Sequence, residues 1–250
     1  MARYDLSESE WRLIEPLLPN KPRGVARVDD RRVINGIFYV LRTGSPWRDL
    51  PDRYGPYTTV QPLQQMGAGW GLAADLRDAS GEVASIDAAD RQLHHPGSPA
   101  RRRRKKGGPD HAIGRSREGL STKIHAVVDQ DGLPVRIILT AGQASDMTAV
   151  PELLAGLPIP APVVADRGYD SNAVLDLIRR SGAEPSIPST SQRTVRRSVD
   201  MAIYRQRNLV ERFFCKLKHF RRIATRFDKL ARNFLAAVLI ASTRLWLRAL

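Results

Sequence analysis

From residue 82 onward the sequence alternates between two periods in an order that few folds accommodate. EVASIDAAD reads as a short strand that delivers Asp87 at or near its end. STKIHAVVD and LPVRIILTA are two apolar strands joined through Gln130-Asp131-Gly132, and Asp-Gly is a strong hairpin signal. SDMTAVPELLAGL follows as a helix capped by Ser145, with Pro151 marking a break. APVVADRGYD is a continuous apolar run of the buried, parallel type that ends at Asp166, where Gly168 permits a sharp exit. SNAVLDLIRRSG is a helix between Ser171 and Gly182, and EPSIPS is a further strand. Strand, loop, hairpin, helix, strand, helix, strand, helix is the order of an α/β domain: a mixed sheet with helices on its faces.

A smaller unit precedes it. Ser7 stands three residues before Glu10 in a capping-box pattern, and Trp11, Ile14, Leu17 and Leu18 follow at helical spacing until Pro16 shortens or kinks the helix. Asp29 caps a second helix, DRRVINGIFYVLRTG, which Gly44 ends. SPWRDLPDRYGPY is loop, punctuated by Pro46, Pro51 and Pro56. Residues 1–60 thus read as a small helical domain, either a helix-turn-helix relative or a plain bundle. Residues 61–80, broken by Pro62, Gly67, Gly69 and Gly71, read as a linker to an α/β domain over 81–250.

Charge narrows the partners. Forty Lys+Arg against 26 Asp+Glu leave +14, and a protein so basic most often sits on a polyanion, nucleic acid first. A loop over 101–119 opens with six consecutive cations, Arg101, Arg102, Arg103, Arg104, Lys105 and Lys106. Mutual repulsion keeps that run extended, either as a solvated loop or as one that orders on phosphates. Cys215 is the single cysteine, so no intrachain disulfide forms, and a reducing cytoplasm is the expected home. Its place in an apolar helix predicts a buried, inert thiol. MARYDLSESEW has no apolar signal core, and FLAAVLIASTRLWLRAL, interrupted by Arg244 and Arg248, is too short to span a bilayer. The expectation is a soluble protein with no membrane partner.

The stretch YRQRNLVERFFCKLK carries the chemistry. Wound as one helix at about 100° per residue, it brings Tyr204, Arg207, Glu211 and Lys218 within a wedge roughly 60° wide. Leu209, Val210, Phe213, Phe214 and Leu217 take the other side. Such a stripe is either a solvated face or a site for metal and phosphate chemistry. Ligands of open α/β sheets bind beyond the carboxyl ends of strands, where Asp87 and Asp166 both fall. Two carboxylates side by side repel unless cations bridge them. With Glu211 added, three hard oxygen donors suit Mg²⁺ in phosphodiester chemistry. His94 and His95 are adjacent and without a cysteine partner, and neither a G-x-S-x-G elbow nor a G-x-x-x-x-G-K-[ST] loop is present. Asp129, Asp131, Asp146 and Asp170 fall in turns or caps, where a structural role suffices.

These residues resemble the bacterial insertion-sequence transposases of the IS-five type. Tyr204, Arg207, Glu211 and Lys218 match that family's Y-R-E-K signature without a gap, ADRGYDS looks like its second-Asp motif, and SIDAAD looks like the first. KKGGPDHAIGRSREGLSTKIHAVVD, RNLVERFF, RRIATRFDKLARNFLAAVLIAS and the YGP at 54–56 are similar too. The resemblance implies a ribonuclease-H-like mixed sheet with helices on both faces, behind the small helical N-terminal domain. It also implies an Asp-Asp-Glu transposase that binds terminal inverted repeats, cuts 3′ ends and joins them to target DNA. By that resemblance Asp87, Asp166 and Glu211 hold Mg²⁺, for which Mn²⁺ can substitute. Arg207 and Lys218 would contact DNA phosphates and Tyr204 would orient the strand, with Lys123 and the 101–106 run as further contacts. A homodimer or larger assembly on DNA, in the cytoplasm at the nucleoid, is implied as well.

Two patches depart from the family pattern: the Gly-rich 61–80, where a third N-terminal helix is usual, and 88–100 after the first strand, which makes Asp90 the alternative first ligand. A decayed transposase that only binds DNA, or a general nuclease on the same fold, are the other readings.

Overall fold

The computed structural model describes residues 3–18, 29–66, 84–92, 111–116, 119–157 and 162–249. The chain divides into two compact units, one of Met1–Asp78, His94–His111 and Lys216–Leu250, the other of Ala79–Leu93 and Ala112–Cys215.

The second unit is built on a six-stranded sheet: β1 Ala84–Gln92, β2 Gly114–Ser116, β3 Gly119–Val128, β4 Pro134–Ala141, β5 Val163–Val164 and β6 Pro185–Ser186. β1 lies at its centre, antiparallel to β3 and parallel to β5, while β4 and β2 extend the β3 side and β6 extends the β5 side in parallel. This order and mix of directions is the ribonuclease-H-like sheet. The β3–β4 hairpin turns where Asp-Gly predicts. Asp129 Oδ1 accepts from the backbone N–H groups of Asp131 and Leu133, both at 2.9 Å, and Gly132 takes φ +73°.

Alternation along β1 assigns the two faces. Ile86 joins Val127 and Ile138 in a core with Val150, Leu153 and Leu154 of α4 (Val150–Leu154) and Val174, Leu175 and Ile178 of α5 (Asn172–Arg180). Ser85 points the other way, and its Oγ donates to the Gln206 carbonyl at 3.3 Å. Helical segments therefore cover both faces.

Several local expectations change. β1 runs five residues past Asp87 because β3 partners it as far as the Gln92–Ser121 pair. The stretch after β4 is a 3-10 turn, Asp146–Ala149, followed by α4, whose first turn holds Pro151. A proline there gives up an N–H that has no intrahelical partner in any case. The stretch Tyr204–Lys218 is not one helix. α6 (Met201–Tyr204, capped by Asp200) gives way to a 3-10 turn at Arg205–Arg207, and α7 (Asn208–Lys218) follows. Cys215 is exposed rather than buried, since Phe213, Phe214 and Leu217 take the apolar face.

In the first unit, α1 (Glu8–Ile14) has its full capping box at Ser7 and ends in a 3-10 turn containing Pro16. α2 (Asp30–Thr43) is capped by the Asp29 carboxylate and stopped by Gly44 at φ +75°. A third helix, α3 (Tyr57–Met66), replaces the loop and linker expected there, and 67–80 lie outside the described residues. The helix is held by fully buried Val60 next to Gly36 of α2, where an added Cβ would meet Val60 Cγ1 at 3.3 Å and Tyr54 Cβ at 3.0 Å. α8 (Arg221–Ala224) and α9 (Ala231–Leu247) pack with α2, and α9 also packs with α3. Arg226 is wholly buried. Its guanidinium donates to the carbonyls of Asp228, His111 and Lys229 and lies over the Phe234 ring. Among the described residues no helix is long and apolar enough to cross a membrane.

Two buried polar groups of the sheet unit set its acid stability. His125 is fully buried, with Nε2 2.7 Å from Thr140 Oγ1, and burial pushes its pKa down to about 4. Asp170, whose side chain is wholly covered, accepts from Thr190 N–H, Arg193 and Arg197. Burial works against its ionisation, but those donors hold the carboxyl down at about 2. In each case the unfolded chain takes its proton at the higher pH, so stability falls as pH falls. The His125 loss runs from about 6.5 down to about 4, and the Asp170 loss from about 3.8 down through about 2. Denaturant unfolding across pH will show both windows: His125→Gln removes the first slope. Asp170→Asn removes the second and costs about 1–3 kcal/mol near neutrality by leaving two arginines unpaired.

Candidate active site

A short parallel pairing aligns the first two acidic residues. β1 and β5 meet only at Ala84–Val163 and Ser85–Val164, and three residues beyond the first pair each chain segment carries an aspartate, Asp87 and Asp166. Asp87 shares the Ser85 face of the sheet by the two-residue period. Asp166 is half-buried and caps the 3-10 turn Arg167–Tyr169, its Oδ1 accepting from the Gly168 N–H at 2.7 Å. A Cβ on Gly168 would meet that oxygen at 2.9 Å, so the carboxylate rests where only glycine leaves room.

Tyr169 ties this corner together. Its ring is buried, and its pKa is raised first by that burial and then by Asp146, Asp87 and Asp166. Three carboxylates thus act on one phenol. Asp146, which the sequence offers only as a cap, is one of them. The signal that could have found it is its position after β4, the strand paired to the neighbour of β1. Lys123 Nζ lies 2.8 Å from Asp146 Oδ1 and donates to the Ala144 carbonyl at 2.8 Å, so it pins the loop after β4.

Glu211 joins through an arginine. Arg207 Nη2 lies 2.5 Å from Glu211 Oε1, and Nη1 lies 3.4 Å from Asp87 Oδ2. Arg207 ends the 3-10 turn Arg205–Arg207 and stands four residues before Glu211, the ordinary helical spacing for an ion pair. Burial alone would lower the Arg207 pKa, but Glu211, Tyr204 and Asp87 raise it. Glu211 is about half exposed, and pairs so open to water are worth up to about 1 kcal/mol each. Tyr204 is half-buried, while Lys218 is exposed at the end of α7. Arg101 to Lys106, His94 and His95 lie outside the described residues.

Three carboxylates with no nitrogen or sulfur among them are the donor set of a hard divalent cation, so the residues fit Mg²⁺ or Mn²⁺. Among the described residues no three acidic, His or Cys side chains converge closely enough to hold an ion as they stand. Arg207 supplies the positive charge between Asp87 and Glu211 instead.

The central strand carries one aspartate and the segment just beyond its parallel neighbour carries another, an arrangement suited to metal-assisted phosphodiester chemistry. The chain belongs to the transposase DDE domain family, whose profile matches residues 78–246, and residues 6–66 match the putative transposases of the IS4/5 family. It is 38% identical over 130 residues to the putative transposase for insertion sequence element IS6501 of Brucella ovis, covering 52% of this chain and all of that one. It is 37% identical over 139 residues to the putative transposase for insertion sequence element IS402 of Burkholderia cepacia, covering 51% of this chain and 62% of that one. Among solved structures, the Mos1 transposase paired-end complex with left transposon end aligns over 67% of this chain and 61% of that one. At 11% identity and a TM-score of 0.24, that likeness is too slight to bear on the fold.

Gly168→Ala is expected to displace the Asp166 carboxylate while leaving the core intact. Thermal unfolding should move little, and any metal-dependent DNA cleavage should drop at least tenfold; unchanged cleavage would show that the Gly168 contact does not set the carboxylate.

Proposed function

We propose that this chain is the transposase of an insertion sequence, binding its element's terminal inverted repeats, cutting the 3′ ends and transferring them to target DNA. The observation that carries the proposal is the common offset of Asp87 and Asp166 from the β1–β5 pairing, with Arg207 linking Asp87 to Glu211. Asp87, Asp166 and Glu211 would hold the divalent ion. When bound, Mg²⁺ or Mn²⁺ supplies Lewis-acid stabilisation for the attacking and leaving oxygens of a phosphodiester.

The chain's own residues supply position and charge. Asp87 lies on β1 and Asp166 two residues beyond the end of β5, while Glu211 comes from a helix. Arg207 lies against two of the three, Asp87 and Glu211, and its guanidinium would also suit DNA phosphate. Tyr204 stands beside Arg207, and Lys218 lies exposed farther along α7 to meet the backbone. Lys123, engaged by Asp146, shapes the loop after β4 and reaches phosphate only by leaving that carboxylate.

The bond balance needs no nucleotide energy source. Water adds across a phosphodiester and frees a 3′-hydroxyl, and that hydroxyl then displaces the 3′-oxygen of a target phosphodiester. The net charge of +14 supports a long DNA footprint, and a homodimer or larger assembly would bring two ends together. DNA as substrate places the work in the cytoplasm, at the nucleoid.

The test is cleavage of duplex DNA carrying the element's ends, with Mg²⁺ or Mn²⁺. Asp166→Asn and Glu211→Gln should each lower the rate by at least a hundredfold while DNA affinity stays within a few-fold. If wild type and both variants bind alike and none cuts, the chain is a DNA-binding relative without catalysis. Cutting of any duplex regardless of its ends would make it a general nuclease.

A further inference from the structure

The helical unit holds a second cationic site. Phe38 and Arg42 stand four residues apart on α2, and Arg244 and Arg248 stand four apart at the end of α9. With Tyr4 and Phe220 they line a small cleft that opens to solvent. Like charges at that helical spacing repel, so the Arg244–Arg248 pair is unfavourable unless an anion balances it. Arg244 forms the buried floor, its Nη1 2.9 Å from Glu10 Oε2 and its Nη2 donating to the Asp5 carbonyl at 2.9 Å. Glu10 therefore balances Arg244 alone. Arg42, Arg248 and nearby Arg3 have no ion pair among the described residues.

The electrostatics agree with the geometry. Burial lowers the Arg42 pKa most and Arg248 lowers it further, while Tyr4 opposes them by more than Arg3 adds. Burial and Arg248 do the same to Arg244, with Glu10 and Asp5 opposing. Aromatic rings fix the forks. Arg42 lies 5.2 Å from the centroid of the Phe220 ring and Arg244 5.0 Å from that of Phe38, so little side-chain freedom remains to be lost on binding.

We propose that this cleft binds a backbone phosphate of DNA, with Arg42 and Arg248 closing on its oxygens above Arg244. Planar guanidinium forks suit the oxygens of a phosphate group. The choice of DNA as the source of that phosphate rests on the function proposed above. The site would anchor DNA on the helical unit.

Two measurements on the full chain test it, using Arg42→Gln/Arg248→Gln and, as control, Arg179→Gln on α5. Inorganic phosphate, compared with chloride at equal ionic strength, should raise the melting temperature of wild type and the control but not of the double variant. The slope of log K for duplex DNA against log salt should flatten by about one to two in the double variant and stay unchanged in the control. Equal phosphate stabilisation of all three proteins overturns the site. Phosphate stabilisation lost in the double variant with an unchanged DNA slope shows a free-anion site and overturns the DNA assignment. A flattened slope without any cleavage supports the cleft and sinks the catalytic reading of Asp87, Asp166 and Glu211. Cleavage with an unflattened slope does the reverse.

Discussion

The pairing of β1 with β5 is two residues long, and the proposed chemistry depends on it. Ala84–Val163 and Ser85–Val164 set two strands side by side with their carboxyl ends in the same direction, and both segments then carry an aspartate at the same offset. Carboxylates carried at matched positions repel if nothing balances them. The rest of the corner compensates: Gly168 donates to Asp166, Lys123 holds Asp146, and Arg207 spans Asp87 and Glu211.

The positive charge of the chain is less uniform in purpose than its total suggests. Arg226 is consumed inside the helical unit by three carbonyls and a ring, and Arg222 lies between Trp47 and Phe227. Arg193 and Arg197 secure the segment before α6 to Asp170. These arginines work as structural cross-links, since a guanidinium can satisfy several acceptors at once. Arg42 and Arg248 have no such acceptor among the described residues.

Much of this was legible in the sequence where one local signal sufficed. Asp29 and Gly44 bracket α2, Ser7 and Glu10 open α1, and Asp131-Gly132 turns the hairpin, because caps and tight turns depend on neighbours only a few residues away. The apolar run into Asp166 marked a buried parallel strand for the same reason. What escaped depended on distant partners. β1 continues past Asp87 because β3 extends beside it. α3 forms across Pro62 because Val60 is buried next to α2. The 3-10 turn at Arg205–Arg207 cannot be told from helix by spacing. The place of Asp146 beside Tyr169 requires knowing where the loop after β4 returns.

The exposure of Cys215 has a practical consequence. It is the chain's single cysteine and lies one helical turn beyond Glu211 on α7. Thiol-directed chemistry on the native sequence would attach a fluorophore or spin probe at one address, a few ångströms from the third acidic residue, with no background to remove.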